Sequence, residues 1–148
     1  MLGVHQLKQL YELDDSQWLG ETISLLRNHQ FQQLDLEHLI EELEDLGKEK
    51  KNAVASLLEQ VIRHLLLLQY WTKETEYNTI NWQEEIYNFR TQLRRKMTAN
   101  LRNYLEEELN YVYEDALGFV KIKTANTMIF PSQCPYSLEQ LLDRDWLP

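Results

Sequence analysis

Apolar residues recur at intervals of three and four along most of the chain, which is the spacing of amphipathic helices. The first such stretch follows Asp14, where Gln17 three residues later completes a capping-box pattern. A polar patch over residues 28–33 ends this helix. Residues typical of strands rarely alternate, and proline first occurs at Pro131, so the pattern predicts helices.

The second predicted helix begins at Asp35 and keeps one apolar face as far as Trp71. A continuous helix of that length would span about 54 Å. Four charged residues follow Gly47, and we expect the helix to be either very long or kinked there. Its predicted inward positions are Leu36, Leu39, Ile40, Leu43, Leu46, Val54, Leu57, Leu58, Val61, Ile62, Leu65 and Leu68.

The remaining helices follow the same spacing. A third is expected to begin near Asn81, and a fourth to run from about Asn100 to Lys123. An irregular, proline-containing stretch comes next, and a short helix over Leu138–Leu142 completes the pattern. Amphipathic helices with short connections predict an all-α, antiparallel bundle of three to four main helices.

The chain has 148 residues, with 24 acidic and 15 basic side chains and a formal net charge of −9. This length suits a single helical domain, in which residues 1–13 form a poorly ordered or loosely docked segment. The lone Cys134 cannot build a disulfide framework and agrees with a cytoplasmic setting. The longest apolar run, Leu65–Leu68, is too short to cross a bilayer, so we expect no membrane partner.

The spacing of His38, Glu42 and Asp45 places them on one side of the second helix, as candidate metal ligands. That side lies opposite most of the apolar positions, and a solvated acidic stripe explains the same spacing. Di-iron bundles need paired Glu-x-x-His elements on two helices, whereas only Asp35 and His38 approach that pattern here. We therefore expect this stripe to face solvent and to bind no cofactor.

A second candidate is a buried polar site at His64, which falls on the apolar face of the same helix. A buried imidazole needs hydrogen-bond partners, and Glu108 and Asp115 lie at the edge of the fourth helix's apolar face. We predict a structural hydrogen bond from His64 to such a group. A general base or metal ligand in a cleft is the alternative.

The stretch Arg90–Arg102 holds five basic residues and no acidic one, so it could contact phosphates. The negative net charge opposes general affinity for nucleic acid, and solvated or salt-bridged helix surface is the favoured interpretation. Cys134 has no base near it in the sequence and is predicted to pack rather than react.

Several stretches resemble the hallmarks of a bacterial family known as domain of unknown function family 29. They are Leu34–Gly47, Tyr11–Asp14 followed by Trp18, Tyr113–Ala116, Phe130–Pro131, Cys134–Tyr136 and Leu141–Asp143. The resemblance covers about residues 11–148 and implies an all-helical fold, without implying an activity, ligand or partner. The characteristic positions that it implies are Asp14, Trp18, His38, Glu41, Glu42, Asp45, Gly47, Tyr113 and Tyr136.

These observations favour a non-catalytic helical module that binds another protein or itself. Trp71, Tyr77 and Trp146 lie near helix ends or the terminus, where they could line a contact. A metal-binding bundle or metal-dependent enzyme that uses the His38 stripe is the first alternative, and a weak nucleic-acid binder is the second. The sequence contains no phosphate-binding glycine loop, nucleophile elbow or zinc spacing, which favours a non-catalytic role over an enzyme.

Overall fold

A computed structural model describes residues 2–148, and every regular element in that range is helical. The fold is therefore all-α, as the apolar spacing predicts. The helices are α1 Val4–Leu13, α2 Asp15–Arg27, α3 Leu36–Tyr70, α4 Thr72–Lys96, α5 Ala99–Lys123 and α6 Leu138–Leu142, with a 3-10 turn at Phe31–Gln33.

The chain divides into two compact units, which we describe separately. The N-terminal unit ends at Glu49, and the C-terminal unit is Lys50–Pro148. Helix α3 contributes to both, because it continues without a break through Gly47 for 35 residues. The very long helix is therefore the form that the sequence adopts.

The N-terminal unit begins with a short helix, in the segment predicted to be poorly ordered or loosely docked. Helix α1 occupies Val4–Leu13, and Leu7 is buried in a small core with Trp18, Leu25 and Leu34. The buried Leu7 side chain thus packs the segment against α2. Helix α2 begins as predicted, with the Asp14 carboxylate accepting a hydrogen bond from the Gln17 amide.

The C-terminal unit packs the rest of α3 against α4 and α5. Lys51 and Arg63 of α3 lie over the rings of Tyr104 and Phe119 of α5, so α3 and α5 run in the same direction. Trp71 alone separates α3 from α4. Helix α4 runs antiparallel to α3, because Trp71 stacks on Trp82 while His64, two turns earlier in α3, packs on Phe89. The buried core residues of these helices are Val54, Leu58, Val61, Ile62, Leu65, Leu66, Leu67, Trp82, Ile86, Leu93, Leu105, Val112, Tyr113, Ala116 and Val120.

Helix α4 begins nine residues before the predicted start at Asn81. Its polar first turns show little apolar spacing, but their side chains bond back to the backbone. The hydroxyl groups of Thr75 and Thr79 donate to the carbonyls of Trp71 and Thr75, and the Asn78 amide donates to the Glu74 carbonyl. These bonds satisfy the short polar side chains within the helix.

The segment after α5 is anchored by Arg90 of α4. The Arg90 side chain is buried, and its guanidinium donates to the backbone carbonyls of Gln140, Leu141 and Trp146 at 2.8–3.0 Å. Helix α6 keeps its predicted bounds, because the Ser137 hydroxyl and the Gln140 side chain form a capping box.

Candidate binding site in the N-terminal unit

A polar cluster lies at the start of α3 and consists of Tyr11, Trp18, Asp35, His38 and Glu42. Asp35 has no exposed surface and accepts three hydrogen bonds. Its Oδ1 atom caps α3 by accepting from the His38 amide at 3.3 Å, and its Oδ2 atom accepts from Trp18 Nε1 at 3.2 Å. The third contact joins Oδ2 to His38 Nδ1 at 2.5 Å. The buried carboxylate thus ties α2 to the first turn of α3.

The contact with Asp35 fixes the proton on the His38 ring. Asp35 Oδ2 is an acceptor, so His38 carries a proton on Nδ1 and presents Nε2 on the other side of the ring. The imidazole is half-buried, because the Tyr11 ring stacks on it with centroids 3.9 Å apart and an interplanar angle of 16°. Trp18 lies edge-on to Tyr11 at 5.0 Å.

Tyr11 completes the cluster by reaching the next turn of α3. Its hydroxyl donates to Glu42 Oε1 at 2.5 Å. This hydrogen bond, followed by burial and the charges of nearby carboxylates, raises the pKa of Tyr11. The phenol therefore keeps its proton and remains a donor throughout the physiological pH range.

The polar cluster reverses the predicted orientation of the first three turns of α3. His38 and Glu42 face α1 and α2, whereas their spacing relative to the apolar positions predicts that they face solvent. Leu36, Ile40 and Leu43 were predicted to point inward, and they are 56%, 53% and 60% exposed. The reason is that buried Asp35 anchors α2 on the neighbouring side of the helix, which leaves the apolar side uncovered.

We call Leu36, Ile40, Leu43 and Leu46 the exposed stripe. Leu46 was also predicted to be inward and is exposed. Helix α2 adds exposed apolar residues at helical spacing, namely Leu19, Ile23 and Leu26. Of the seventeen large apolar side chains that are exposed within residues 2–148, nine precede Gly47. The smaller unit therefore carries most of the uncovered apolar surface.

The same unit carries nearly all of the net charge. Residues 1–49 contain eleven acidic and three basic side chains, a formal charge of −8 out of −9 for the whole chain. On an ideal helix, Glu37, Glu41 and Glu44 follow one edge of the exposed stripe. All three are exposed, and Glu37 pairs with Lys8 at 3.7 Å. The candidate site is thus the exposed stripe with acidic residues along one edge.

The candidate metal ligands are occupied by other contacts or lie apart. His38 Nδ1 engages Asp35, Glu42 accepts from Tyr11, and Asp45 is exposed. Across residues 2–148, no group of three or more histidine, cysteine, aspartate or glutamate side chains is arranged to hold a metal ion. Of the three candidates, His38 and Glu42 both contact Tyr11, the first through its ring and the second through its carboxylate.

The predicted site around His64 takes a different form. His64 Nδ1 contacts the Gln60 carbonyl of its own helix at 2.7 Å, and its ring packs 5.5 Å from Phe89. In the described residues neither Glu108 nor Asp115 bonds to it, because the carbonyl one turn earlier already satisfies Nδ1. Burial lowers the pKa of His64, against smaller opposing effects of the Gln60 carbonyl and Glu85.

The basic stretch is divided between two roles. Arg90 is 2% exposed and bonded to three carbonyls, so it is unavailable to phosphates. The predicted phosphate contact is therefore wrong for Arg90. The exposed members of the stretch are Arg94, Arg95, Lys96 and Arg102. Cys134 packs beside the core, and burial raises the pKa of its thiol, which favours the unreactive protonated form.

The two family-motif tyrosines of the C-terminal unit have structural partners. The Tyr113 hydroxyl donates to the Pro131 carbonyl at 2.5 Å, and the Tyr136 hydroxyl donates to Gln69 Oε1 at 2.8 Å. Burial raises the pKa of Tyr113 to about 12, so its hydroxyl stays a donor. An open depression of about 420 Å³ lies beside it, lined by Asn110, Tyr113, Glu114, Ser132 and Gln133.

Fold and site together define an all-α protein with a three-helix bundle and an acidic, apolar-surfaced N-terminal unit. The chain belongs to the family described as Domain of unknown function DUF29, which it matches over residues 10–147. Neither curated proteins nor solved structures gave a match. None of the helices described combines the length and apolar character of a bilayer span.

All five residues of the polar cluster lie within the family-like stretches of the sequence or directly after them. Trp18, His38 and Glu42 are three of the characteristic positions. That coincidence was the available signal for the cluster. Helical periodicity missed it, because a charged residue at a helix start ordinarily indicates a solvated cap.

Proposed function

We propose that the protein is a non-catalytic helical interaction module and that the exposed stripe of α3 is its docking surface. The observation that carries this proposal is that Leu36, Ile40 and Leu43 are each more than half exposed at helical spacing. Soluble proteins rarely leave contiguous apolar surface uncovered, and such surface with a polar border is typical of interaction sites.

Covering the exposed stripe with a partner would be energetically favourable. Burying a leucine or isoleucine side chain contributes about 1.5–3 kcal/mol relative to leaving it in water. In the exposed stripe, several neighbouring side chains of one helix remain in water and do not gain this free energy. A partner that covers them would gain it, less the entropy lost on association.

The polar cluster supports the proposal because it holds α1 and α2 on one side of α3 and so keeps the exposed stripe uncovered. His38 contacts Asp35 through Nδ1 and stacks on the Tyr11 ring, which fixes how α1 and α2 pack on α3. We place the module in the bacterial cytoplasm, since its lone cysteine suits a reducing compartment. We expect a protein partner, since the unit that carries the stripe also carries nearly all of the net negative charge.

Site-specific photo-crosslinking in the native host tests this function. A photoreactive residue replaces Ile40 in one variant and Ile129 in a matched control, because Ile129 is exposed in the C-terminal unit. We expect an adduct of one defined mass from position 40 alone, and its loss when Leu43→Glu is added. Equal adducts from both positions, or none from position 40, would contradict the proposal.

A further inference from the structure

We infer that the occupant of the exposed stripe is a basic amphipathic helix belonging to another protein. This inference rests on the proposed function and specifies the partner. It follows from two independent features of the molecule, which are the way the remainder of α3 is covered and the sign of the charge around the stripe.

The first feature is the periodicity of α3. Eighteen residues are five turns of an α-helix, so Leu36, Ile40 and Leu43 repeat the positions of Val54, Leu58 and Val61. The latter three are completely buried in the core that α3 shares with α4 and α5. A stripe with this spacing is suited to packing against another helix, whose own apolar side chains at positions i, i+4 and i+7 would contact it.

The second feature is the charge. Glu37, Glu41 and Glu44 border the stripe, and Lys48 is the one basic residue between positions 36 and 49. A partner helix with lysine or arginine beside its own apolar face would place positive charge along this border. Complementary potentials of this kind steer association and fix its register.

The same charge disfavours the other occupants. If a second copy docked through this face, two units with a net charge of −8 each would come together, and their repulsion opposes self-association. Anionic lipid surfaces and nucleic-acid phosphates would be repelled for the same reason. A basic helix is therefore the occupant that gains from both the exposed stripe and its border.

Two synthetic peptides of about 18 residues, or five turns, test the inference with the full-length chain. Both carry leucine at positions i, i+4 and i+7 of each repeat. One has lysine at the flanking positions and the other has glutamate. Fluorescence anisotropy should show the lysine peptide binding at least about tenfold more tightly, with an affinity that falls as salt is raised.

Chain variants locate the binding and separate charge from position. Ile40→Glu with Leu43→Glu should weaken the lysine peptide about tenfold or more. The triple variant Glu37→Gln, Glu41→Gln, Glu44→Gln should weaken it about fivefold. The matched control is Glu106→Gln, Glu107→Gln, Glu114→Gln on α5, which removes the same charge from exposed positions of the other unit and should change affinity less than about twofold. Circular dichroism confirms that each variant keeps its helices.

Four results would overturn the inference. Equal losses from the two triple variants would mean attraction by bulk charge. Tighter binding of the glutamate peptide would reverse the sign of the partner. A dimer that Ile40→Glu with Leu43→Glu dissolves would make a second copy the occupant. If neither peptide binds while position 40 still crosslinks, the basic helix is wrong and the interaction function stands, whereas loss of the crosslink removes the function itself.

Discussion

Helix α3 carries one apolar stripe along both of its halves, yet only one half is covered. Val54, Leu58 and Val61 are completely buried in the core of the C-terminal unit, whereas Leu36, Ile40 and Leu43, five turns earlier, are each more than half exposed. The two halves differ in what anchors their neighbours. Apolar packing orients the helices of the C-terminal unit, and a buried carboxylate orients α1 and α2. Amphipathic spacing therefore marks a face that can be buried, while the anchoring contacts decide whether it is.

The largest expected effect compares equivalent positions of the two halves. Leu58→Ala should lower the free energy of unfolding by about 3 kcal/mol, because it leaves a cavity in a packed core. Ile40→Ala should change it by less than about 0.5 kcal/mol, because the side chain is already in water. Urea denaturation measures both, and a large loss for Ile40→Ala would show that the stripe is covered within the chain.

The next effect tests the anchor of the N-terminal unit. Asp35→Ala should destabilise that unit by about 3 kcal/mol, because it removes one partner of a buried charged network and leaves Trp18 Nε1 unpaired. Hydrogen exchange should then accelerate in α1 and α2 and stay unchanged in α5. Asp45→Ala is the matched control on the same helix, since Asp45 is exposed. Similar exchange in the two variants would contradict the role of Asp35.

The C-terminal unit has its own buried charge, and removing it should have a smaller, local effect. Arg90→Met should cost about 2 kcal/mol through the loss of hydrogen bonds to three carbonyls. Limited proteolysis should then cleave within residues 124–148. Arg94→Met, one turn further along α4 and exposed, should leave that segment resistant. Resistance in both variants would mean that apolar contacts alone hold the segment.

How far the sequence predicted the molecule depends on the range of the interactions involved. Local spacing predicts that the elements are helices and which positions form the apolar stripes. It also predicts the helix caps at Asp14 and Ser137. Burial of Asp35 depends on the Trp18 indole, seventeen positions earlier, which local pattern does not connect. The apolar stripe of α3 was therefore identified correctly over its whole length and wrongly assigned to the core in its first three turns.

The smallest expected effect concerns pH in the C-terminal unit. Because burial lowers the pKa of His64, the unfolded chain takes up this proton more readily than the folded chain. The contribution of His64 is therefore fully present above its ordinary pKa of 6.5 and is lost as the pH falls below it. His64→Gln should make the decline in stability between pH 7 and pH 5 shallower. An unchanged slope in His64→Gln would contradict this assignment.

Thiol labelling tests the central claim most directly, because it reads exposure at equivalent turns of one helix. Cys134→Ser gives a background without native thiols, into which Ile40→Cys and Leu58→Cys are introduced separately. We predict that the thiol at position 40 reacts under native conditions almost as fast as in the denatured chain, while the thiol at position 58 reacts only when the unit opens. Protection of position 40 to the same degree as position 58 would contradict the account.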